Sequence, residues 1–376
     1  MKTSRPLVLV TGGAGFIGSH TVDLLLQKGY AVRILDNLQE RVHPRGKPDY
    51  LPPEAEFVRG DVANRSDLEP ALRGVEYVIH LAAYQDYLPD FSTFIHTNTE
   101  STALLFELIV ARKMPVRKIV VASSQAIYGE GKYRCEEHGT LYPASRPIEQ
   151  LRGGDWEVKC PQCGHDLSPE WITEDTVKPF TAYGISKYAL EMLAFNLGRR
   201  YGIPAAALRY TYVQGPRNSF YNAYSGICRI FTLRVLNGAP PVVYEDGKQL
   251  RDYVWVGDVA EANVLCMERS EADFRAFNVG GGRSISVLEF AETVLRVADE
   301  SSRLRPLVRG DFRYGDTRHT FSDISALRSL GWKPTLGTED VVRRYVDWVR
   351  GCADARDYTA ESERVMREMK VLQTVG

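Results

Sequence analysis

The sequence predicts an α/β fold: a doubly wound parallel sheet with a smaller α/β lobe interleaved with it. Three observations carry this. The first 125 residues alternate apolar runs with helical patterns, and a glycine-rich turn joins the first run to the first helix. The chain of 376 residues also has room for a core domain and a second unit. Strands that are apolar throughout are those buried on both faces, as in a parallel sheet. Right-handed crossovers then place helices on both sides of it.

In chain order, residues 7–11 read as a buried strand and 16–28 as a helix. Gly29-Tyr30 makes the turn into a strand at 31–35. Further strands are expected at 56–58, 75–80 and 117–123, with helices at 67–72 and 97–112. Residues 130–178 break the rhythm: rich in Pro, Gly, Cys and charge, they lack a clean period and are too long for an ordinary connection. The alternation resumes with a helix at 182–201 and a strand at 205–210. Beyond Val213, short strands (242–244, 277–279) alternate with helices (287–298, 339–348), and the charged tail 358–372 reads as a surface helix. The expected division is a nucleotide-binding domain over 1–211 carrying the insertion 130–178, then a second lobe over 212–376, with 240–280 partly returning to the core.

Composition excludes several classes. With 47 basic against 48 acidic residues the net charge is −1, so no global field draws the chain to nucleic acid or anionic lipid. No apolar run approaches the roughly 18–20 residues of a membrane span. The apolar stretch 7–10 runs straight into glycines, unlike a secretory signal. Six cysteines do not make a secreted disulfide scaffold. The expectation is a soluble cytoplasmic protein.

Thr11-Gly12-Gly13-Ala14-Gly15-Phe16-Ile17-Gly18 lies between the first strand and the first helix. Gly12 permits the tight turn, Gly15 lets backbone approach a pyrophosphate, and Gly18 lets the helix pack close to the sheet. The helix N-terminus offers N–H groups and partial positive charge to phosphates. Asp36 ends the second strand 18 residues after Gly18, where an acid meets the adenosine ribose hydroxyls. A carboxylate there repels a 2′-phosphate, which favours NAD over NADP. The domain is therefore expected to be Rossmann-type. Asp61, after the third strand, reads either as an acceptor for the adenine amino group or as a turn or capping Asp.

These motifs, and those that follow them in order, resemble the extended short-chain dehydrogenase/reductases, the NAD-dependent sugar-nucleotide epimerase/dehydratase family, over nearly the whole chain. The glycine turn, Asp36-Asn37, Asp61-Val62 and His80-Leu81-Ala82-Ala83 match its cofactor-binding strand ends, and Asn98 matches an Asn beneath the active site. Ser123-Ser124 followed by Ile127-Tyr128-Gly129 matches the serine strand, and Tyr183-Gly184-Ile185-Ser186-Lys187 the Tyr-x-x-x-Lys pair. Arg251-Asp252-Tyr253-Val254, with Asp258 beyond it, resembles the late motif near the sugar diphosphate. The resemblance implies NAD held by Gly12, Gly15, Phe16, Ile17, Gly18, Asp36, Asn37, Asp61, Val62, Leu81, Ala82, Ala83, Asn98, Ser123, Tyr183 and Lys187. It implies catalysis by Ser124, Tyr183 and Lys187. It also implies a nucleotide-diphosphate sugar as substrate and a homodimer pairing two helices from each subunit.

The residues make chemical sense of this. Tyr183 and Lys187, four apart on a helix, share one face. A tyrosine with a pKa of about 10 is a poor base at neutral pH. A neighbouring ammonium and the positive nicotinamide of bound NAD both favour its phenolate. Ser124 can hydrogen-bond the reacting sugar hydroxyl. Members that dehydrate sugars carry an Asp-Glu pair after this serine. Gln125-Ala126 stands there instead and cannot transfer protons. The expected reaction is 4-epimerisation through a transient 4-keto sugar. The alternatives are another nucleotide-sugar enzyme (decarboxylase, reductase or different epimerase), or a non-catalytic NAD-binding sensor or scaffold. Ser124-x-x-Ile127-Tyr128-Gly129-Glu130-Gly131-x-Tyr133, Arg152-Gly153-Gly154-Asp155-Trp156 and the stretch Phe312 to His319 are similar to dTDP-L-rhamnose 4-epimerase-like members. Two places depart from the family pattern. Tyr84-Gln85-Asp86-Tyr87 is bulkier and more acidic than usual, and Tyr212 stands where a sugar- or diphosphate-contacting Asn is common. Expected substrate contacts are Ser124, Gln125, Tyr84, Tyr212, Arg217, Arg251 and Arg313, the last two gripping the diphosphate through guanidinium forks.

Within the insertion, Cys135-x-x-His138 and Cys160-Pro161-Gln162-Cys163 lie 21 residues apart. Two such knuckles resemble a Cys3His structural zinc site with His165 as a spare ligand, and Gly164 suits the turn. Free thiols or a disulfide are the other readings. Cys228, Cys266 and Cys352 read as ordinary core or surface thiols.

Overall fold

A computed structural model describes residues 5–86, 88–221, 226–299, 303–353 and 355–376, so Tyr87 lies outside the described residues. Its centre is a seven-stranded, all-parallel sheet. The strands are β1 (Leu7–Thr11), β2 (Ala31–Asp36), β3 (Glu56–Arg59), β4 (Tyr77–His80), β5 (Lys118–Ser124), β6 (Ala205–Tyr210) and β7 (Arg275–Val279). Their spatial order is β7-β6-β5-β4-β1-β2-β3. The order reverses beside β1, and a doubly wound sheet binds its ligand at that crevice. The two faces carry separate apolar clusters, one containing Val8, Val10 and Ile34 and the other Leu9, Leu35 and Val78. Successive residues of β1 thus serve opposite faces, and both are buried.

The helix Ala182–Tyr201 and strand Ala205–Tyr210 fall where the pattern places them. The expected strand 277–279 begins at Arg275 and forms the β7 edge of the main sheet. The expected single helix 97–112 is corrected: it is three pieces, Phe91–Phe94, a wider π-turn at Ile95–Glu100, and Ser101–Ala111. The π-turn brings in Asn98. Its Oδ1 accepts from the Tyr84 N–H at 2.8 Å, and its Nδ2 donates to the Tyr84 carbonyl at 3.0 Å. Such turns are common where a side chain must be re-aimed at a functional site.

Past β6 the chain builds a second cluster around the helices Ile227–Leu236, Val287–Ala298 and Thr338–Arg350, beneath a small sheet of Tyr212–Gln214, Leu250–Trp255 and Ser284–Ser286. The helix Val256–Glu268 returns to pack on the helix Phe16–Gln27. The insertion holds a three-stranded antiparallel sheet of Lys132–Cys135, Gly139–Leu141 and Ser168–Glu170. Its apolar core is only Tyr133, Val158 and Leu167 with two of the cysteines.

Candidate active site

The glycine turn sits at the carboxyl end of β1. Gly12 has φ +68°, and a Cβ at Gly18 would stand 2.1 Å from the Gly12 carbonyl oxygen, so both positions require glycine. No side chain caps the helix that starts at Phe16, which leaves its first-turn N–H groups facing the turn. Asp36 Oδ2 accepts from Ala14 N–H at 3.0 Å and Oδ1 from Leu38 N–H at 2.9 Å, fixing the carboxylate beside the loop. Asn37 Nδ2 donates to Asp61 Oδ2 at 3.0 Å, and Asp61 Oδ1 accepts from Ala63 N–H at 2.9 Å. Asp61 therefore makes a turn and still meets Asn37 at the mouth of the crevice. Leu81 and Ala82 follow β4 and are bonded to Thr11, while Ala83 is exposed.

Ser124 ends β5 and caps a short turn, its Oγ accepting from Ala126 N–H at 3.1 Å. The helix Ala182–Tyr201 lies directly on that turn: a Cβ at Gly184 would stand 2.5 Å from the Ala126 carbonyl. This close approach brings Tyr183 against Ser124. Burial pushes the Tyr183 phenol up to about 12, and its hydrogen bond with Ser124 pulls the other way. Lys187 is buried, donates to the Ala122 carbonyl at 2.8 Å, and lies 5.8 Å from the centre of the Tyr183 ring. Burial lowers its ammonium to about 7, opposed by Glu191. Beneath them Asn98 donates to Ser186 Oγ at 3.0 Å. Ser123 Oγ and Gln125 Oε1, buried at the same strand end, have no partner among the described residues. The glycine turn, the uncapped helix and these orphaned atoms fit a dinucleotide lying from Asp36 across to Ser123.

Tyr84 lies at the rim, its hydroxyl bonded to Asp90 and its ring 5.1 Å from that of Phe94. On the lobe side Arg251 lies over the Tyr212 ring at 5.3 Å. Three of its five donors go to the carbonyls of Leu250, Thr317 and Arg318 at 2.7–2.9 Å. Arg313 pairs with Asp316 at 2.8 Å. Arg217 is set apart from them: it pairs with Asp23 on the first helix at 2.7 Å and lies over Tyr50.

In the insertion, Cys135 Sγ and Cys160 Sγ each lie 3.5 Å from His138 Nδ1, and Cys135 Sγ lies 3.7 Å from Cys163 Sγ. All four ligand atoms fall within 4.8 Å of one another. A tetrahedral zinc with Zn–S of about 2.3 Å and Zn–N of about 2.0 Å sets edges of about 3.8 and about 3.5 Å. A disulfide would need about 2.05 Å. Gly164, at φ +76°, turns the second knuckle so that its N–H reaches the Cys160 carbonyl at 2.9 Å. His165 is not among these four; it pairs with Glu137 at 3.3 Å, and the two lie within 4.8 Å of Cys163 Sγ.

Sequence reasoning missed a buried charge network joining the insertion to the lobe. Arg146 forks onto Glu245 at 3.0 and 2.8 Å. Arg318, fully buried, reaches Glu157, Glu245 and Asp246 at 2.6–3.2 Å. Glu130 is buried beside them, and burial raises its carboxyl to about 7. Arg318 and His319 stood out only as part of a motif. Their partners lie 67 or more positions away, and no local pattern announces them.

A doubly wound sheet with this glycine turn, a Tyr-x-x-x-Lys helix seated on a serine-bearing strand and a lobe across the crevice define an NAD-dependent enzyme of the extended short-chain type. The chain belongs to the NAD dependent epimerase/dehydratase family, whose model matches residues 8–149 and 161–280. It is 32% identical to the dTDP-L-rhamnose 4-epimerase of Burkholderia thailandensis, over 91% of this chain and 94% of that protein. It is 32% identical to a putative UDP-glucose 4-epimerase of Methanocaldococcus jannaschii, over 92% and 98%. Among solved structures, the UDP-glucose 4-epimerase of Thermotoga maritima with UDP-glucose matches at TM-score 0.75 and 31% identity, covering 92% of this chain and 99% of that one. The UDP-glucose 4-epimerase of Thermus thermophilus with NAD matches at 0.71 and 30%, covering 92% and 100%.

Proposed function

We propose that the protein interconverts nucleotide sugars at carbon 4, with dTDP-linked 6-deoxyhexoses of the rhamnose type the first substrates to try. The observation that carries this is the meeting of Ser124, Tyr183 and Lys187 at the end of β5, with the neutral Gln125-Ala126 pair after the serine. When bound, NAD supplies reversible hydride acceptance at carbon 4. Tyr183 accepts the proton of the carbon-4 hydroxyl and later returns it. Ser124 hydrogen-bonds that hydroxyl and holds it toward the phenol. Lys187 in its charged form would favour the phenolate, and it would hold the nicotinamide ribose of bound NAD. Between the two transfers the 4-keto sugar turns in the site, and Gln125 and Tyr84 bound the space in which it turns. Arg251, with two donors free, and Arg313 hold the diphosphate. Asp36 and Asp61 meet the adenosine end.

The finer reading adds three things. The Cys135, His138, Cys160 and Cys163 cluster holds a structural zinc, because four protein ligands leave no open position. The protein is a homodimer joined through the helices 91–111 and 182–201. Its place is the cytoplasm, where thiolates stay reduced; no helix among the described residues is long and apolar enough to cross a membrane.

The test is incubation with a panel of dTDP-, UDP-, GDP- and CDP-sugars, watching for an epimer pair. Tyr183→Phe is expected to lower turnover by about 100-fold or more with NAD content retained. Net NADH accumulation or carbon dioxide release would instead favour a reductase or decarboxylase. For the metal, about one zinc per chain is expected, lost to a strong chelator. Under half an equivalent, unaffected by chelator, removes the zinc site.

A further inference from the structure

Residues 316–319 form a short strip of backbone held from two sides. On one side stands the insertion. Arg146 donates to the Asp316 carbonyl at 3.0 Å. Glu130 Oε1 accepts from the Arg318 N–H at 2.6 Å, and the Tyr133 hydroxyl accepts from the His319 N–H at 3.2 Å. Glu157 takes the Arg318 guanidinium with one oxygen and lies 3.2 Å from the His319 ring with the other. On the opposite side, the carbonyls of Thr317 and Arg318 receive the Arg251 guanidinium at 2.7 and 2.8 Å. The cysteine cluster is part of the first side: Cys135 ends the strand that carries Tyr133, and Cys160 follows Glu157 by three residues. With so small an apolar core, the insertion relies on the cluster, beside strand pairing and the Gln150 Nε2 bond to the Glu157 carbonyl at 2.6 Å, to hold that strand and Glu157 in register.

We propose that the insertion is a positioning device for the nucleotide sugar: its metal cluster fixes Tyr133 and Glu157, these fix residues 316–319, and that strip aims Arg251 at the substrate diphosphate. Glu157 and Arg318 are positioning residues, which touch neither substrate nor cofactor. With two donors committed to carbonyls of the strip and a third to Leu250, the guanidinium has two left, and the strip sets their direction. When the strip loosens, Arg251 keeps its charge and loses its aim. The inference rests on the proposed roles of the cluster as a zinc site and of Arg251 as a diphosphate ligand.

The experiment measures binding of dTDP and UDP, as substrate fragments, to the NAD-loaded protein by calorimetry, carrying forward whichever binds tighter. Buried Arg318 keeps Glu245 and Asp246 as partners, so Glu157→Gln leaves no buried charge unpaired. It is expected to weaken the nucleoside diphosphate by about tenfold and leave NAD content unchanged. Glu157→Asp, which keeps the charge, recovers part of the loss. Chelator-stripped protein loses affinity in the same sense and regains it with added zinc. Arg251→Ala sets the full size of the effect. If Arg251→Ala weakens binding while Glu157→Gln and stripped protein both stay within about twofold of wild type, the positioning role is overturned and the role of Arg251 stands. If Arg251→Ala also binds like wild type, both are overturned. Loss of NAD in step with the nucleoside diphosphate would mark a merely structural role and overturn the proposal as well.

Discussion

Burial acts in opposite senses on Tyr183 and Lys187, pushing the phenol up to about 12 and the ammonium down to about 7. Both shifts favour a neutral pair, so a buried ammonium at position 187 is carried at a cost to folding. Unfolded, the lysine titrates near 10.4. Between the two values the unfolded chain binds more protons, so this group's contribution makes stability rise with pH across that window. The penalty is therefore full below about pH 7 and gone above about pH 10. The Tyr183 shift works only above about pH 10, where free tyrosine ionises. Lys187→Met in the cofactor-free protein is accordingly expected to stabilise the fold by about 3 kcal/mol at pH 8, more at pH 6, and by nothing near pH 10. Turnover should be lost at every pH. Urea unfolding across about pH 6.5–9.5 checks this. A stability difference that stays flat with pH would show that the ammonium carries no burial penalty.

Placement of the reacting groups belongs to whole elements. Thr181 caps the helix Ala182–Tyr201, its Oγ1 accepting from the Gly184 N–H at 3.0 Å, and Gly184 lets the helix settle on the turn that Ser124 begins. A methyl group at 184 would meet backbone, which cannot rotate aside. Gly184→Ala is expected to cost about 1–3 kcal/mol and to cut kcat by about tenfold, as a small displacement of Tyr183 from the reacting hydroxyl does. Thermal unfolding and steady-state kinetics read the two effects. Full kcat in a folded variant would mean that Tyr183 is placed by something other than this contact. The same elements show where sequence reading succeeds. The Tyr183–Lys187 spacing of this helix is local, and the glycine turn with Asp36 is spaced by a fixed strand and helix, so these parts of the site were readable. The helix expected at 97–112 failed for a physical reason: its first turns widen so that Asn98 can bond Tyr84, and apolar periodicity does not register a side chain bonding backbone 14 positions away. The insertion had no readable strands because three- and four-residue strands around five core side chains carry no period.

At the scale of the molecule the parts are tied by pairings that run far along the chain. Arg146 meets Glu245 99 positions on, and β7 pairs β6 after the chain has left to build the lobe. The return of 275–279 toward the core was expected, while the Arg146–Glu245 pairing was invisible in sequence. One feature of the surface points beyond the single chain. Phe91 and Ile95 on one helical segment, and Ile185 and Met192 on its neighbour, are 43–62% exposed. Thr99 Oγ1 bonds the Ser186 carbonyl at 3.0 Å, so these segments pack side by side and present their apolar residues together. Covering such side chains is worth about 1.5–3 kcal/mol each for full burial, and in the homodimer proposed above a second copy of the same two segments would supply that cover through a self-complementary four-helix contact. Ile185→Glu combined with Met192→Glu places like charges across that contact while leaving Tyr183 and Lys187 in place. Sedimentation equilibrium should give twice the 42.3 kDa chain mass for wild type and a single chain for the double variant. Both should fold and hold NAD, because neither side chain reaches the crevice. Wild-type protein that sediments as a single chain at micromolar concentration would rule the homodimer out, and a double variant that stays dimeric would move the contact elsewhere.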